Sequence, residues 1–459
     1  MKIDLSRRSF LVGASALSFT GCALPKVSAG RHNLSFGVLS DIHITDRAST
    51  EVFRKTLAFF RDQKVDAVMI VGDMADHGLV CQLQNVADAW YDVFPSDRAP
   101  DGRKVEKLFV YGNHDFEGLA YRDAAMDKAF AVHGISYDEA KKDEICTVGF
   151  AETWKRCFHE DYEPVYRKRV RGYDFIGAHW ETWSGQNAVE PWFAAHAGEI
   201  DTSKPFFFFQ HQHPQGTVYA EDAWGQDAGQ STRVLSAYPN AVAFSGHSHR
   251  SLTDGRSYWR GEFTSIGTST LSYVCLPGGR KDVPKYRANL DARQGQIVRV
   301  FDDRLEVERY DFIAMEKLDD DVVLPMPTTA STFRVRAVLR KNTVAFPAGA
   351  VARAEVRETA VAACFPAATA GAARPYDYKV EFWGKAADGK TERVTECWYQ
   401  PDVVFSRRRA MQSGEIACSI PLAAFKRRPV EIHVVVYARN CYGGALNYLK
   451  SAWTPVASA

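Results

Sequence analysis

Leu34-Ser35-Phe36-Gly37-Val38-Leu39-Ser40-Asp41-Ile42-His43 is an apolar run that stops at an acid and an imidazole two residues apart. The run has the length and make-up of a buried strand. If the chain stays extended past its end, Asp41 and His43 share one side, because side chains alternate along a strand. The same order recurs downstream. Asp66-Ala67-Val68-Met69-Ile70-Val71 ends at Gly72-Asp73, and Lys107-Leu108-Phe109-Val110-Tyr111 ends at Gly112-Asn113-His114-Asp115. Pro205 to Gln210 runs into His211-Gln212-His213-Pro214, and Ala241 to Ser245 into Gly246-His247-Ser248-His249. Helical periodicity lies between the first strands, from about Ser49 to Gln63 with Val52, Phe53, Leu57 and Phe60 on one face, and from Leu79 to Val93. Strands that alternate with helices predict a layered α/β domain, whose sites form beyond the C-terminal strand ends. Every polar block above sits at such an end.

These side chains suit divalent cations. Carboxylate and carboxamide oxygens serve hard ions, imidazole suits zinc, iron and manganese, and one carboxylate can bridge two ions. In the fourth block His211 follows its strand directly, and His213 is the alternative register. His32, His133, His159, His196 and His433 stand alone and read as structural. His179, ahead of Trp180 and Trp183, is a pocket candidate against ordinary packing. Asp76 and His77 read as the cap of the following helix. Tyr219, Asp222 and Trp224 are candidate substrate contacts in a loop, and Phe206 to Phe209 is a buried strand.

In content and order the five blocks resemble the calcineurin-like metallophosphoesterases, whose pattern is DxH, GD, GNH followed by D or E, a single His, and GHxH. The resemblance spans roughly Leu34 to Tyr310 and rests on all five blocks together, since one alone occurs often by chance. It implies a layered metallophosphoesterase β-sandwich flanked by helices. It also implies two divalent ions (manganese, iron or zinc): one on Asp41, His43 and His249, the other on Asn113, His211 and His247, with Asp73 bridging. His114 would be no ligand but would stabilise or protonate the transferring phosphoryl group, with Asp115 orienting its ring. The implied activity is hydrolysis of a phosphate ester, mono- or diester, by a hydroxide held between the ions. No serine or cysteine sits in a recognisable nucleophile motif.

The rest of the chain sets the context. It has 459 residues, enough for two or three domains. Its 57 basic and 56 acidic side chains nearly cancel, which gives no reason to expect a nucleic acid partner. Residues 1–29 read as an export signal. Ser6-Arg7-Arg8-Ser9-Phe10-Leu11, followed by a short apolar run, resembles the twin-arginine signal of bacteria. Two processing readings stand side by side. Phe19-Thr20-Gly21-Cys22 resembles a lipoprotein box, with Cys22 as a lipid anchor, and Val27-Ser28-Ala29 offers a signal-peptidase site. The protein is thus expected outside the cytoplasm, periplasmic or membrane-anchored. Eight further cysteines form no CxxC pair, which argues against a zinc knuckle; disulfides and buried thiols both remain open.

On this reading the metallophosphoesterase domain covers residues 30–315. A linker follows at 316–327, marked by Pro325, Met326 and Pro327. Residues 328–459 then switch to alternating, β-branched runs that predict a small all-β sandwich of about a hundred residues. Phe116 to Arg171 reads as a helix-bearing insertion that walls the site. Arg407, Arg408 and Arg409 read as a solvated basic face. The competing function is a cell-surface binding protein with a vestigial metal domain.

Overall fold

The computed structural model describes residues 31–117, 150–181, 188–219, 225–275, 289–318, 320–328, 344–368, 375–399, 414–445 and 447–456. The segment expected as an export signal, with Arg7, Arg8 and Cys22, and also His133, Trp183, Asp222, Trp224, Arg407, Arg408, Arg409 and residues 118–149 of the expected insertion, lie outside the described residues. The first elements are β1 (Leu34–Leu39), α1 (Arg47–Asp62), β2 (Ala67–Val71), α2 (Val80–Val93), β3 (Glu106–Val110), α3 (Asn113–Glu117) and a helix at Phe150–Phe158. There follow β4 (Val165–Val170), β5 (Tyr173–Ala178), a helix at Val189–His196, β6 (Phe206–Gln210), a helix at Gln230–Leu235 and β7 (Ala241–Ser245). Next come β8 (Tyr258–Arg260), β9 (Thr264–Gly267), β10 (Tyr273–Cys275), β11 (Asn289–Asp291), β12 (Gln294–Val300), β13 (Arg304–Asp311), β14 (Glu316–Lys317) and β15 (Val322–Pro325).

Two sheets carry the α/β part. One runs β14-β13-β12-β1-β2-β3, with β15 also on β13, and the other runs β4-β5-β6-β7-β9-β8. β1, β2 and β3 are mutually parallel, as are β5, β6, β7 and β9, so each group ends on one rim. The strands are apolar on both faces because both faces are covered. From β2, Met69 and Val71 point into the core between the sheets while Val68 and Ile70 point outward under the helices. Phe207 and Phe209 face that inner core, and Phe206 and Phe208 face the helices at Val189–His196 and Gln230–Leu235. α1 starts at a reciprocal cap, Asp46 accepting from Ser49 N–H and Ser49 Oγ from Asp46 N–H. Its Phe53, Leu57 and Phe60 then bury one stripe on the first sheet.

Where the insertion was expected, Val165–Val170 is an edge strand of the second sheet. Its Arg167-Lys168-Arg169 run hides the strand pattern. Asp174 pairs with both arginines, and Glu160 pairs with the lysine. The segment expected as a linker instead supplies β14 and β15, both paired to β13. Beyond it lie β16 (Arg353–Val356), β17 (Ala360–Pro366), β18 (Asp377–Lys385), β19 (Thr391–Tyr399), β20 (Glu415–Pro421), β21 (Glu431–Arg439), β22 (Tyr448–Lys450) and β23 (Thr454–Pro455). They form all-β sheets, β16-β17-β20 and β19-β18-β21-β22 with β23 on β21. One apolar core fills the space between, with Val361, Ala363, Phe365 and Ile420 against Val380, Phe382, Val434 and Val436. Cys157, Cys364 and Cys441 are buried free thiols. Among the described residues no helix is long and apolar enough to cross a membrane.

Phe36 is the pin of the inner core, edge-on to Phe175, Phe207 and Phe244 at 4.9–5.8 Å between centroids. Phe36→Ala is expected to lower unfolding free energy by about 3–5 kcal/mol in urea titration. A loss under about 1 kcal/mol, the range of tolerated volume-conserving swaps, would mean the sheets do not share that core.

Candidate metal centre

The rim where the parallel strands end gathers the sequence candidates. Asp41 and His43 follow β1, Asp73 follows β2 and Gly72, Asn113 follows β3, His211 follows β6, and His247 and His249 follow β7. The chain is not extended there. Asp41, His43, Asp73, His247 and His249 all have left-handed backbone, with φ of 49°, 48°, 50°, 67° and 52°. Such residues cost on the order of 1–3 kcal/mol each and persist only where the surroundings over-determine them. Here the surroundings are backbone bonds between the loops: Asp41 N–H to Gly72 O, and both Ile42 and His43 N–H to Asp73 O. Thus Asp41 and His43 converge through a curled turn, not through extended alternation.

Two groups of side chains result, Asp41 with His43 and His249, and Asp73 with His211 and His247. His249 Nε2 lies 3.0 Å from Asp41 Oδ1 and 3.1 Å from His43 Nε2. His211 Nε2 lies 3.0 Å from Asp73 Oδ2 and 3.9 Å from Asp41 Oδ1, and 3.2 Å from His247 Nδ1. The outer ring nitrogens are held from behind. His211 Nδ1 donates to Val71 O at 2.7 Å, His249 Nδ1 donates to Tyr273 O at 2.9 Å, and His43 Nδ1 faces Asp76 Oδ1 at 2.9 Å. That is the arrangement that turns Nε2 toward a metal. Two glycines permit the approach. A Cβ on Gly72 would sit 2.4 Å from His211 Nδ1, and one on Gly112 would sit 2.2 Å from Asp73 Oδ1.

Electrostatics follow from this crowding. Burial pushes the Asp41 carboxyl up, but His249 and His211 beside it hold it down at about 2. Burial pushes His211 down, but Asp73 and Asp41 raise it to about 9. Burial, reinforced by His211, lowers His247 to about 3. Buried carboxylate oxygens and imidazole nitrogens that converge in this way suit divalent cations.

Residues 34–251 match the family model described as Calcineurin-like phosphoesterase. This segment is a calcineurin-like phosphoesterase domain. The fold is similar to a dimetal phosphatase from Danio rerio, at 12% identity and a TM-score of 0.37, over 64% of this chain and 99% of that one. It is also similar to the purple acid phosphatase PPD1 from yellow lupin (Lupinus luteus), at 13% identity and a TM-score of 0.40, over 63% of this chain and 53% of that one. A comparison with curated proteins returned no match. The oxygen and nitrogen donors on the rim fit the two metal ions that the family implies.

Within the phosphoesterase domain the remaining candidates separate. His211 reaches the carboxylates, whereas His213 is used on both nitrogens, 2.7 Å from Ser245 Oγ and 2.7 Å from Ser248 Oγ. Asn113 is buried at the first residue of α3. His114 N–H donates to Asp73 Oδ1 at 2.9 Å, and its Nδ1 donates to Asp76 O at 2.6 Å. Asp115 does not orient that ring. Its carboxylate accepts instead from the N–H groups of Met74, Ala75 and Gly112, which braces the Asp73 loop, and burial with Asp73 nearby raises it to about 7. Asp76 and His77 do not cap α2, which starts after Leu79 without a side-chain cap. Asp76 instead holds His43 and lies in a group with His43 and His114. Its place three residues after a ligand, inside the same turn, was the available signal. Tyr273, whose ring packs 4.4 Å from His249, had none.

His179 is structural. It accepts from Tyr111 N–H at 3.0 Å, and its ring stands edge-on to Trp154 at 4.5 Å. Tyr219 is buried against Ser257 and His213, not a substrate contact. Trp180 is buried beside His247, 5.9 Å between centroids. His159 stacks on Tyr91, His196 pairs with Glu199, and His433 packs on Trp453.

Gly112→Ala is expected to displace Asp73 and lower bound manganese, read by metal analysis after dialysis; full occupancy would show that the tight approach is unnecessary. The proton held on His211 must leave before that ring can ligate. Manganese affinity of metal-free protein should therefore rise about tenfold per pH unit toward pH 9, with proton release visible calorimetrically. An affinity flat from pH 7 to 9 would contradict this.

Proposed function

We propose that the protein is a metal-dependent phosphoric ester hydrolase, a phosphodiesterase or phosphomonoesterase acting outside the cytoplasm. The observation that carries this is the convergence of Asp41, His43 and His249 with Asp73, His211 and His247 on one buried rim of a calcineurin-like phosphoesterase domain. The first three would hold one ion. His211, His247 and Asn113 would hold the other, with Asp73 shared. When bound, two divalent ions (manganese, iron or zinc) supply Lewis acidity to the phosphate and a hydroxide near neutral pH.

The protein's own groups complete the site. The His114 ring, fixed through Nδ1 on the Asp76 carbonyl and 4.7 Å from the His43 ring, offers its other nitrogen to the phosphoryl oxygens and to the leaving oxygen. Asp115 keeps the Gly72–Ala75 loop, and with it Asp73, in register with the Gly112–His114 turn. Trp180 packs on the His247 ring and Tyr273 on the His249 ring, which limits the positions those imidazoles can take. The near-neutral chain offers no overall positive charge to draw in a phosphate ester, and that attraction is assigned to the ions and His114. The placement outside the cytoplasm rests on the resemblance of Ser6-Arg7-Arg8-Ser9-Phe10-Leu11 to a twin-arginine signal.

The test is a panel of aryl phosphate mono- and diesters, nucleotides, phospholipid headgroups and sugar phosphates on manganese- or zinc-loaded protein. At least one class should turn over. Asp73→Ala should cut that rate by more than the ~10²-fold typical of losing a partner behind a ligand. No turnover by the loaded protein, with Asp73→Ala indistinguishable from it, sinks the reading.

A further inference from the structure

The turn that carries His247 and His249 does not end in solvent. It continues through Leu252 into the tight turn Asp254–Ser257, where Arg256 is buried. Arg256 Nη2 is 2.6 Å from Asp254 Oδ2, and its Nε donates to Asp254 Oδ1 at 3.0 Å. The same Nη2 donates to Tyr376 Oη at 3.1 Å, and the guanidinium carbon lies 5.2 Å from the centre of that ring. Tyr376 belongs to the C-terminal β region. Its N–H donates to Arg439 O at 2.7 Å, and next to it Arg439 grips Asp377 through both oxygens at 2.7 and 2.8 Å. A second bond crosses nearby, from Tyr442 Oη to Gly255 O at 3.1 Å.

From Arg256 the contact runs inward. Its carbonyl accepts from Tyr219 N–H at 3.3 Å, and Tyr219 Oη is 2.7 Å from Ser257 Oγ. The Tyr219 ring packs on His213 with centroids 5.3 Å apart. His213 Nε2 then bonds Ser248 Oγ, the residue between His247 and His249, and Nδ1 bonds Ser245 Oγ at the end of β7. Tyr376, Arg256, Tyr219, His213 and Ser248 are each no more than 6% exposed. A buried, hydrogen-bonded and packed chain of this kind transmits position, because close-packed interiors have few alternative arrangements. The left-handed φ of His247 and His249 makes the need concrete, since strained turns are held by what surrounds them.

We propose that Tyr376 and Arg256 are positioning residues of the metal centre, so that the C-terminal β region sets the geometry of the His247-Ser248-His249 turn. The proposal rests on the metal-dependent reading above. The C-terminal region is then a working part of the site, and His213 is the link through which it acts.

The test uses the full chain. Tyr376→Phe removes one hydroxyl and keeps the ring; His213→Phe removes both bonds of the nearer link; Trp453→Ala, at an exposed position of the same region, is the control. Calorimetric manganese affinity, the visible spectrum of the cobalt-loaded protein and the melting temperature are measured for each. His213→Phe strips both serine bonds from the turn between the ligands, and its loss of metal binding should approach the ~10–100-fold typical of removing an outer-shell partner. Tyr376→Phe, further out, should weaken binding by roughly 3–10-fold and shift the same cobalt band, with a near-normal melting temperature. Trp453→Ala should match wild type. Wild-type affinity and spectrum in Tyr376→Phe would overturn the proposal, as would an equal loss in Trp453→Ala. A wild-type chain that binds no manganese would overturn the metal reading itself, and this proposal with it.

Discussion

Carboxylates and imidazoles held about 3.0 Å apart on a buried rim are the constraint to which the rest of the fold answers. Burial alone would drive such groups apart or neutralise them. They stay because their backbones are locked: the turns after β1 and β2 bond to one another, and glycines at 72 and 112 let the chains approach. The two-sheet sandwich supplies the stiffness. Its inner core is aromatic and interlocked around Phe36, and helices cover both outer faces. Strain at the rim is therefore borne by a body with little freedom to relax.

Around that rim the supporting groups are mostly main chain. Val71, Tyr273 and Asp76 offer carbonyls to His211, His249 and His114. Asp115 spends its carboxylate on three amides, although a neighbouring imidazole was its expected partner. A buried acid that receives several N–H groups organises a loop as firmly as a capping residue organises a helix. The Asp73 turn and the Asn113 turn thus move as one unit. On the other sheet, Tyr219 and His213 do the same for the turn after β7, and that support reaches as far as Tyr376.

Much of this was legible in the sequence because it is local. Apolar runs of strand length, each ending in a metal-capable side chain, name the strands β1, β2, β3, β6 and β7 and the candidate ligands together. The Phe53-Leu57-Phe60 stripe of α1 is equally local. What escaped was short or disguised. β4 carries consecutive cations whose partners, Asp174 and Glu160, lie elsewhere, and β14 and β15 have too few residues to show a period. The curled turns at Asp41 and His43 also escaped, since spacing by two says nothing about φ.

By itself, then, the sequence determined which side chains stand at the strand ends and in what order, because side-chain periodicity and apolar burial act over a few residues. Tertiary structure alone decided between His211 and His213, which differ only in whether the ring meets Asp73 or two serines. It also turned Asp115 away from His114, drew Asp76 to His43, and set Tyr376 against Arg256. Each of these is a contact whose partner is fixed by how the sheets pack. No pattern of neighbours along the chain encodes that distance.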